Sequence, residues 1–334
     1  MRKTGAMSHA SLHIKEVAMV HVHRQTRHAA DNNGEKRQQS RRRMLETVLM
    51  FAMATCLPNR HSLAETIMNT GREQRSKRIF ITGSSSGLGQ MAARLLIEQG
   101  HRVVVHGRSP ARAAEALKDT PGAEAALHGD FASLKQVRAL AGQANDSGPF
   151  DAVIHNAGIG DKETSKTLTE DGLPHIFAVN TLAPYVLTAL IARPQRLVYL
   201  TSSMQFGVDV QSCLDDLLWE KRLWRGSTAY SESKLLDSML AFAVARRWPT
   251  VLSNTVDPGW VATRMGGRSA TDDLNQGHLT QVWLAASDDP QALVSGRHFY
   301  HMTSRDTNPD ALNTAFQDRL IAECERLSGV PLPD

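Results

Sequence analysis

Tyr230 and Lys234 stand four residues apart in Tyr230-Ser231-Glu232-Ser233-Lys234, the spacing that puts two side chains on one face of a helix, one turn apart. A phenol titrates at about pH 10 and exchanges protons poorly at neutral pH, whereas a neighbouring ammonium favours the phenolate and draws the titration downward. The pair therefore has the makings of a general acid or base acting on an oxygen. With 4 tyrosines in 334 residues, about 0.1 such pairs arise by chance, so the surrounding residues decide whether this one carries chemistry.

The elements around the pair are strands alternating with helices. From residue 77 the chain reads as a β-rich run at 78–82, a helix over 88–99 and a β-branched run at 101–106. Helix 111–118, strand 125–128, helix 134–144 and strand 152–154 follow. A helix around 176–192, strand 196–201, helix 230–247, strand 251–256 and a short strand near 298–300 complete the series. Such alternation requires parallel strands with helical crossovers. The expected fold class is α/β, a Rossmann-type doubly wound parallel sheet in a single domain over 76–334, with ligands at the carboxyl ends of the strands.

The first strand runs into Thr82-Gly83-Ser84-Ser85-Ser86-Gly87-Leu88-Gly89. Glycines in a strand-to-helix turn let the chain reverse tightly and let backbone N–H groups approach a pyrophosphate, with the helix N-terminus facing the anion. Gly83, Ser85, Ser86, Gly87, Leu88 and Gly89 are thus candidate contacts to a dinucleotide.

This pattern resembles the short-chain dehydrogenase/reductase family, whose signature is Thr-Gly-x-x-x-Gly-x-Gly, and four further motifs follow in order. Ile154-His155-Asn156-Ala157-Gly158 is similar to the family's Asn-Asn-Ala-Gly turn, with His155 in place of the first Asn. The resemblance implies that Asn156, Ala157 and Gly158 line the cofactor cleft, and that the His155 change affects packing more than chemistry. It places Asn180 in a proton relay, and Asp130 and Phe131 against the adenine. Of the serines ending strand 196–201, it makes Ser203 the one that positions the substrate oxygen, with Ser202 the alternative if the register slips. It assigns Tyr230 and Lys234 to catalysis and cofactor placement. In Asp257-Pro258-Gly259-Trp260-Val261-Ala262-Thr263 it assigns Pro258, Gly259, Val261 and Thr263 to the nicotinamide.

A carboxylate ending the second strand would bind the ribose hydroxyls of NAD and repel a 2′-phosphate. His106-Gly107-Arg108-Ser109 offers Arg108 instead, a forked donor suited to that phosphate. NADP(H) is therefore the preferred cofactor and NAD(H) the second choice. The expected activity is hydride transfer between NADPH and a carbonyl or alcohol. The rival reading is a non-catalytic NADP-binding regulator, disfavoured because the catalytic tetrad is complete. Ser203 and Tyr230 lie 27 residues apart, a longer spacing that resembles the retinol-dehydrogenase-like branch. The inserted residues 205–228, with Trp219 and Trp224, either shape a pocket for a lipophilic aldehyde or ketone or pack on the C-terminal helix. Met204, Phe206 and the loop 264–277 are candidate pocket walls. Homodimers and homotetramers are usual in the family.

Residues 1–75 differ in character. They hold 13 of the 38 basic but only 6 of the 34 acidic residues, so the rest of the chain is mildly acidic. This excludes a nucleic-acid-binding core, which needs a basic face. The segment is expected to be a largely disordered extension or short helix, dispensable or translated from upstream of a start at Met68. Arg41-Arg42-Arg43 before the apolar run at 44–58 resembles a twin-arginine export signal ending near Cys56, the lesser alternative to a cytoplasmic protein. That run is too short to span a bilayer. Three cysteines give neither a disulfide framework nor metal-ligand spacing. The histidines at 9–28 fall in a polar stretch and are not read as a metal site.

Overall fold

The computed structural model describes residues 75–334; the expectations for the extension, its start at Met68 and its export signal lie outside them. Eight strands form one sheet in the order β3-β2-β1-β4-β5-β6-β7-β8. They are β1 (Arg78–Ile81), β2 (Arg102–Gly107), β3 (Ala125–His128), β4 (Ala152–His155), β5 (Arg196–Leu200), β6 (Leu252–Asp257), β7 (His298–Tyr300) and β8 (Thr303–Arg305). All pairings are parallel except β7 with β8. The order reverses between β1 and β4, where ligands bind in doubly wound sheets.

β1, β4 and β5 are buried at every position, as parallel strands covered on both faces must be. Helices α1 (Gly87–Glu98), α2 (Pro110–Asp119) and α8 (Leu279–Ala286) cover one face, packing on Ile79, Ile81, Val103, Val105 and Ile154. On the other face lie α3 (Leu134–Asp146), α4 (His175–Phe177), α5 (Ala183–Leu190), α6 (Val210–Asp215), α7 (Gly226–Arg247) and α9 (Thr314–Ser328). The Rossmann-type sheet is the expected one.

Three departures from expectation have local causes. A π-helical stretch, Ala178–Leu182, joins α4 to α5 and carries Asn180. α7 begins one turn before Tyr230, because Gly226 fits where a Cβ would lie 2.4 Å from the Glu163 carbonyl oxygen. β8 is polar and fully exposed, and its hairpin turns through His301 (φ 47°) and Met302 (φ 58°). These left-handed positions usually signal themselves as Asn or Gly.

Candidate active site

The turn after β1 is locked to the turn after β4. The buried Thr82 hydroxyl accepts the N–H groups of Asn156 and Ala157, each at 3.0 Å. The Asn156 amide donates back to the Thr82 and Gly83 carbonyls at 3.0 and 3.2 Å. Gly83 sits at φ +64°, and a Cβ there would come within 2.7 Å of the Ala157 Cα. At Gly89 a Cβ would meet the Asn156 amide nitrogen at 2.4 Å. The close approach of the two turns is what requires both glycines.

α1 starts at exposed Gly87, after exposed Ser86 and half-buried Ser85, and no side chain caps its N-terminus. First-turn N–H groups that no side chain satisfies, on a glycine-lined surface, fit the pyrophosphate of a dinucleotide. The chain beyond β6 returns to this turn. Thr263 Cγ2 lies 3.9 Å from a Gly87 Cβ position, and Leu88 and Val261 meet across Gly277.

His106, noted in the sequence only as part of the β2 end, ties three strand ends together. Its Nδ1 accepts the Gly83 N–H at 3.0 Å and its Nε2 donates to the Gly129 carbonyl at 3.0 Å. Both bonds hold only in the neutral ring. Its ring lies 5.0 Å from that of Phe131, which is buried in the core, leaving the Phe131 backbone for any ligand. Asp130 Oδ1 accepts the Ala132 N–H. Arg108 is exposed beside Ser109, whose hydroxyl caps α2, and makes no ion pair among the described residues.

Burial holds His106 down to about 4, His155 to about 3 and His298 to about 4. Their folded pKa values lie below the unfolded value of about 6.5, so unfolding takes up protons between these limits. Stability is complete above about pH 6.5 and falls as pH drops toward 4, by about 3 kcal/mol for His106 alone. Melting temperature against pH should show this decline, less steep in His106→Gln. An equal slope in the variant would show that His106 is not a contributor.

The Tyr230–Lys234 end of the site rests on α7. Gly158 lies where a Cβ would be 3.4 Å from Asn180 Oδ1 and 3.8 Å from Lys234 Nζ. Asn180 Oδ1 accepts the Ile159 N–H at 2.8 Å, and its Nδ2 donates to the Ile159 carbonyl (3.0 Å) and to Ser233 Oγ (2.9 Å). It thereby joins the β4 loop to α7, and the π-helical stretch beneath it is a distortion frequent at functional sites. Lys234 Nζ lies 5.8 Å from the Tyr230 ring centroid and donates to the Leu200 carbonyl (2.8 Å) and to Asp237 (2.9 Å). Burial works against the Lys234 charge, but Asp237 and Tyr230 outweigh it and hold its pKa above the ordinary lysine value. Burial pushes the Tyr230 phenol up, Lys234 pulls it down, and Asp237, Asp257 and Asp161 add to the rise. Tyr230 is therefore protonated at neutral pH, the form that can donate to a carbonyl oxygen.

After β6, Gly259 (φ +81°) follows Pro258 and donates its N–H to Asp257 at 2.9 Å. Asp272 accepts the Trp260 N–H at 2.8 Å. The Ser203 backbone N–H faces the same Asp257 carboxylate, so the β5 and β6 ends adjoin here. Exposed Ser203 and Phe206 line a cavity of about 330 Å³ with Asp257, Gly259, Trp260, Asp272, Tyr300, Arg305 and others. The Ser202 hydroxyl accepts the Met204 N–H at 3.3 Å, and Met204 is exposed.

Beyond Phe206, which lines the cavity, the insert packs on the body of the protein. Trp219 is buried against Ile176 and Ala229, and its ring meets that of Trp224 at 5.1 Å. Arg222 bridges Asp216 and Glu232. Arg319 of α9 donates to the Leu214 carbonyl at 2.9 Å and to Asp215 at 2.6 Å. Phe206 and Asp272 of the expected pocket walls do reach the cavity, whereas Trp219 of the insert is buried and Trp224 packs against it.

No helix of the described residues is long and apolar enough to cross a membrane. Residues 77–206 match the model of the short chain dehydrogenase family. Over 260 residues the chain is 44% identical to an uncharacterized oxidoreductase of Emericella nidulans, covering 77% of this chain and 98% of that one. It is 31% identical to human retinol dehydrogenase 14, covering 76% and 87%. A crystal structure of a protein from Mycobacterium paratuberculosis superposes with a TM-score of 0.66 at 24% identity, over 77% of this chain and 95% of that one, and shares the fold. With its glycine turn, its Asn156-Ala157-Gly158 turn and its Tyr230–Lys234 pair at adjoining strand ends, the chain belongs to the short-chain dehydrogenase/reductase family, the NAD(P)-binding oxidoreductases that act on alcohol and carbonyl groups.

Proposed function

We propose that the protein is an NADP(H)-dependent carbonyl reductase, and in reverse an alcohol dehydrogenase, acting on a lipophilic aldehyde or ketone. The observation that carries this reading is the junction at Gly158. The loop that locks the glycine turn through Asn156 and Ala157 also runs within reach of Asn180 and Lys234. The glycine turn, Asp130, the backbone of Phe131 and Arg108 would hold the adenine-nucleotide half, and Gly158, Lys234, Pro258, Gly259, Val261 and Thr263 the nicotinamide half. The bound cofactor supplies hydride to the carbonyl carbon. Tyr230 donates the proton to the carbonyl oxygen, Lys234 stabilises the phenolate left behind, and a relay by way of Asn180 returns the proton. NAD(P)H oxidation over a panel of aldehydes and ketones tests this; a wild-type protein inert toward the whole panel would favour the non-catalytic reading.

Ser203 is the serine proposed to hold the substrate oxygen. One observation gives Ser202 a claim as well. Ser203 faces Asp257 and opens to a cavity whose named walls lie on the β6–β8 side, and successive residues of extended backbone point to opposite sides. Ser202 is extended, at φ −159° and ψ 154°. Alanine at the operative serine should lower kcat about a hundredfold, and alanine at the other should leave it within a few-fold. Two mild variants would remove the serine from the mechanism. Exposed Phe206 and Trp260 support an apolar substrate body, while Asp257, Asp272 and Arg305 make the rest of the lining polar.

Arg108 carries the preference for NADP(H). Arg108→Glu should raise KM for NADPH more than tenfold and leave that for NADH unchanged or lower. Equal KM values for NADPH in wild type and variant would assign the 2′-phosphate to another residue.

A further inference from the structure

Asp237 is absent from the motif set and lies at the centre of the site. It stands three residues after Lys234, is 3% exposed, and its Oδ2 lies 2.9 Å from Lys234 Nζ. The ammonium itself is buried, and its other partner is the Leu200 carbonyl. A full negative charge inside a domain is costly unless paired, and a carboxylate beside the cation of a Tyr–Lys pair acts on whatever that cation acts on. We propose that Asp237 is a positioning residue of the catalytic machinery: its buried ion pair fixes the Lys234 ammonium and partly cancels the positive field that this ammonium exerts on Tyr230. The consequence for catalysis rests on the reading of Tyr230 as the proton donor; the electrostatic claim does not.

The groups facing this pair leave it electrostatically dominant. From the sheet, Tyr199 is held neutral by burial and stacks at 4.7 Å on His155, which is also buried and neutral. From α9, Cys324 is a buried thiol whose ionisation burial suppresses. From the π-helical stretch, the nearby group is the uncharged Thr181 hydroxyl, which donates to the Ser233 carbonyl at 3.3 Å. Asp257 at the β6 end and Asp161 in the loop after β4 are the further carboxylates felt by Tyr230. Both act in the same sense as Asp237, and neither pairs with Lys234. Asp237 is thus the carboxylate whose removal changes the ammonium's field most directly, and its presence favours the protonated phenol and carbonyl reduction over neutral and mildly alkaline pH.

The test is an ultraviolet difference titration of Tyr230, each protein read against its own Tyr230→Phe counterpart, for wild type and Asp237→Asn. Removing the carboxylate leaves the ammonium unopposed, so phenolate should form about one pH unit lower. Asp237→Glu should titrate near wild type, and Asp237→Ser replaces the Asn variant, with the same expected shift, if that variant does not fold. Loss of thermal stability follows from either role, so the titration decides. An unmoved or upward Tyr230 titration overturns the proposal, whether or not a substrate has been found. In an active protein the alkaline fall of carbonyl reduction should move down by the same amount. A moved titration with an unmoved activity limb would keep the electrostatic claim and count instead against Tyr230 as the proton donor.

Discussion

Tyr230→Phe should lower carbonyl reduction about a thousandfold while leaving cofactor affinity and melting temperature close to those of the wild type. The size follows from removing the proton donor, since a positioned general acid contributes about 10²–10⁴-fold. The selectivity follows from geometry. The Tyr230 hydroxyl has no hydrogen-bond partner among the described residues, so deleting it orphans no buried group. The ring remains to pack, and Lys234 keeps its bonds to the Leu200 carbonyl and Asp237. Steady-state rates and a fluorescence titration with NADPH, on the same preparations, separate the two effects. A Phe variant turning over within tenfold of wild type would remove Tyr230 from the mechanism. A variant that lost cofactor binding as well would make it a structural or binding residue.

Lys234 extends this reasoning in a direction the sequence did not show. The spacing of Tyr230 and Lys234 leads to the expectation of a phenol drawn toward neutrality by its neighbour. In the structure, burial and three carboxylates hold it above its ordinary value against Lys234. Local spacing specifies that two residues share a helix face. It also puts Asp237, three residues after Lys234, on that face, but the burial of the pair is decided by how α7 meets the sheet and the π-helical stretch.

The legible parts of the fold are those that local pattern determines. Apolar runs such as Val103-Val104-Val105 announce strands buried on both faces, and the Gly83–Gly89 turn announces a strand meeting a helix. The illegible parts depend on tertiary contact. β8 has no apolar residue and turns through His301 and Met302 rather than through Asn or Gly. His106 reads as one more residue of a β-branched strand until its ring is seen bridging Gly83 and Gly129. Asp257 reads as the residue before a Pro-Gly turn, and that its carboxylate also faces Ser203 becomes visible only when β5 and β6 lie side by side. The two serines show the limit most plainly. A one-residue shift in where β5 ends exchanges their roles, and no periodicity fixes a strand end so closely.

Gly83 allows the proposed cofactor cradle to be tested apart from the proposed catalytic residues. Gly83→Ala faces two costs at once: a left-handed φ of +64°, and a Cβ 2.7 Å from the Ala157 Cα. The first is about 1–2 kcal/mol for a residue with a Cβ. The second cannot be relieved by a side-chain rotation, because the opposing atom is backbone. The β1 and β4 turns must move apart, loosening the Thr82 hydroxyl that holds both Asn156 and Ala157 and displacing the N–H groups proposed to meet the pyrophosphate. NADPH affinity should fall at least about thirtyfold, or roughly 2 kcal/mol. Gly100→Ala supplies the control. Gly100 has a φ of +84° and nothing within 4 Å of its Cβ position, so it shares the backbone cost without the collision. That variant should lose about 1 kcal/mol of stability and bind NADPH as the wild type does. If Gly100→Ala loses as much NADPH affinity as Gly83→Ala, left-handed strain rather than the meeting of the two turns accounts for the loss. If Gly83→Ala binds as tightly as wild type, the turn is not the dinucleotide cradle, because no cofactor held there by backbone N–H groups would be indifferent to their displacement.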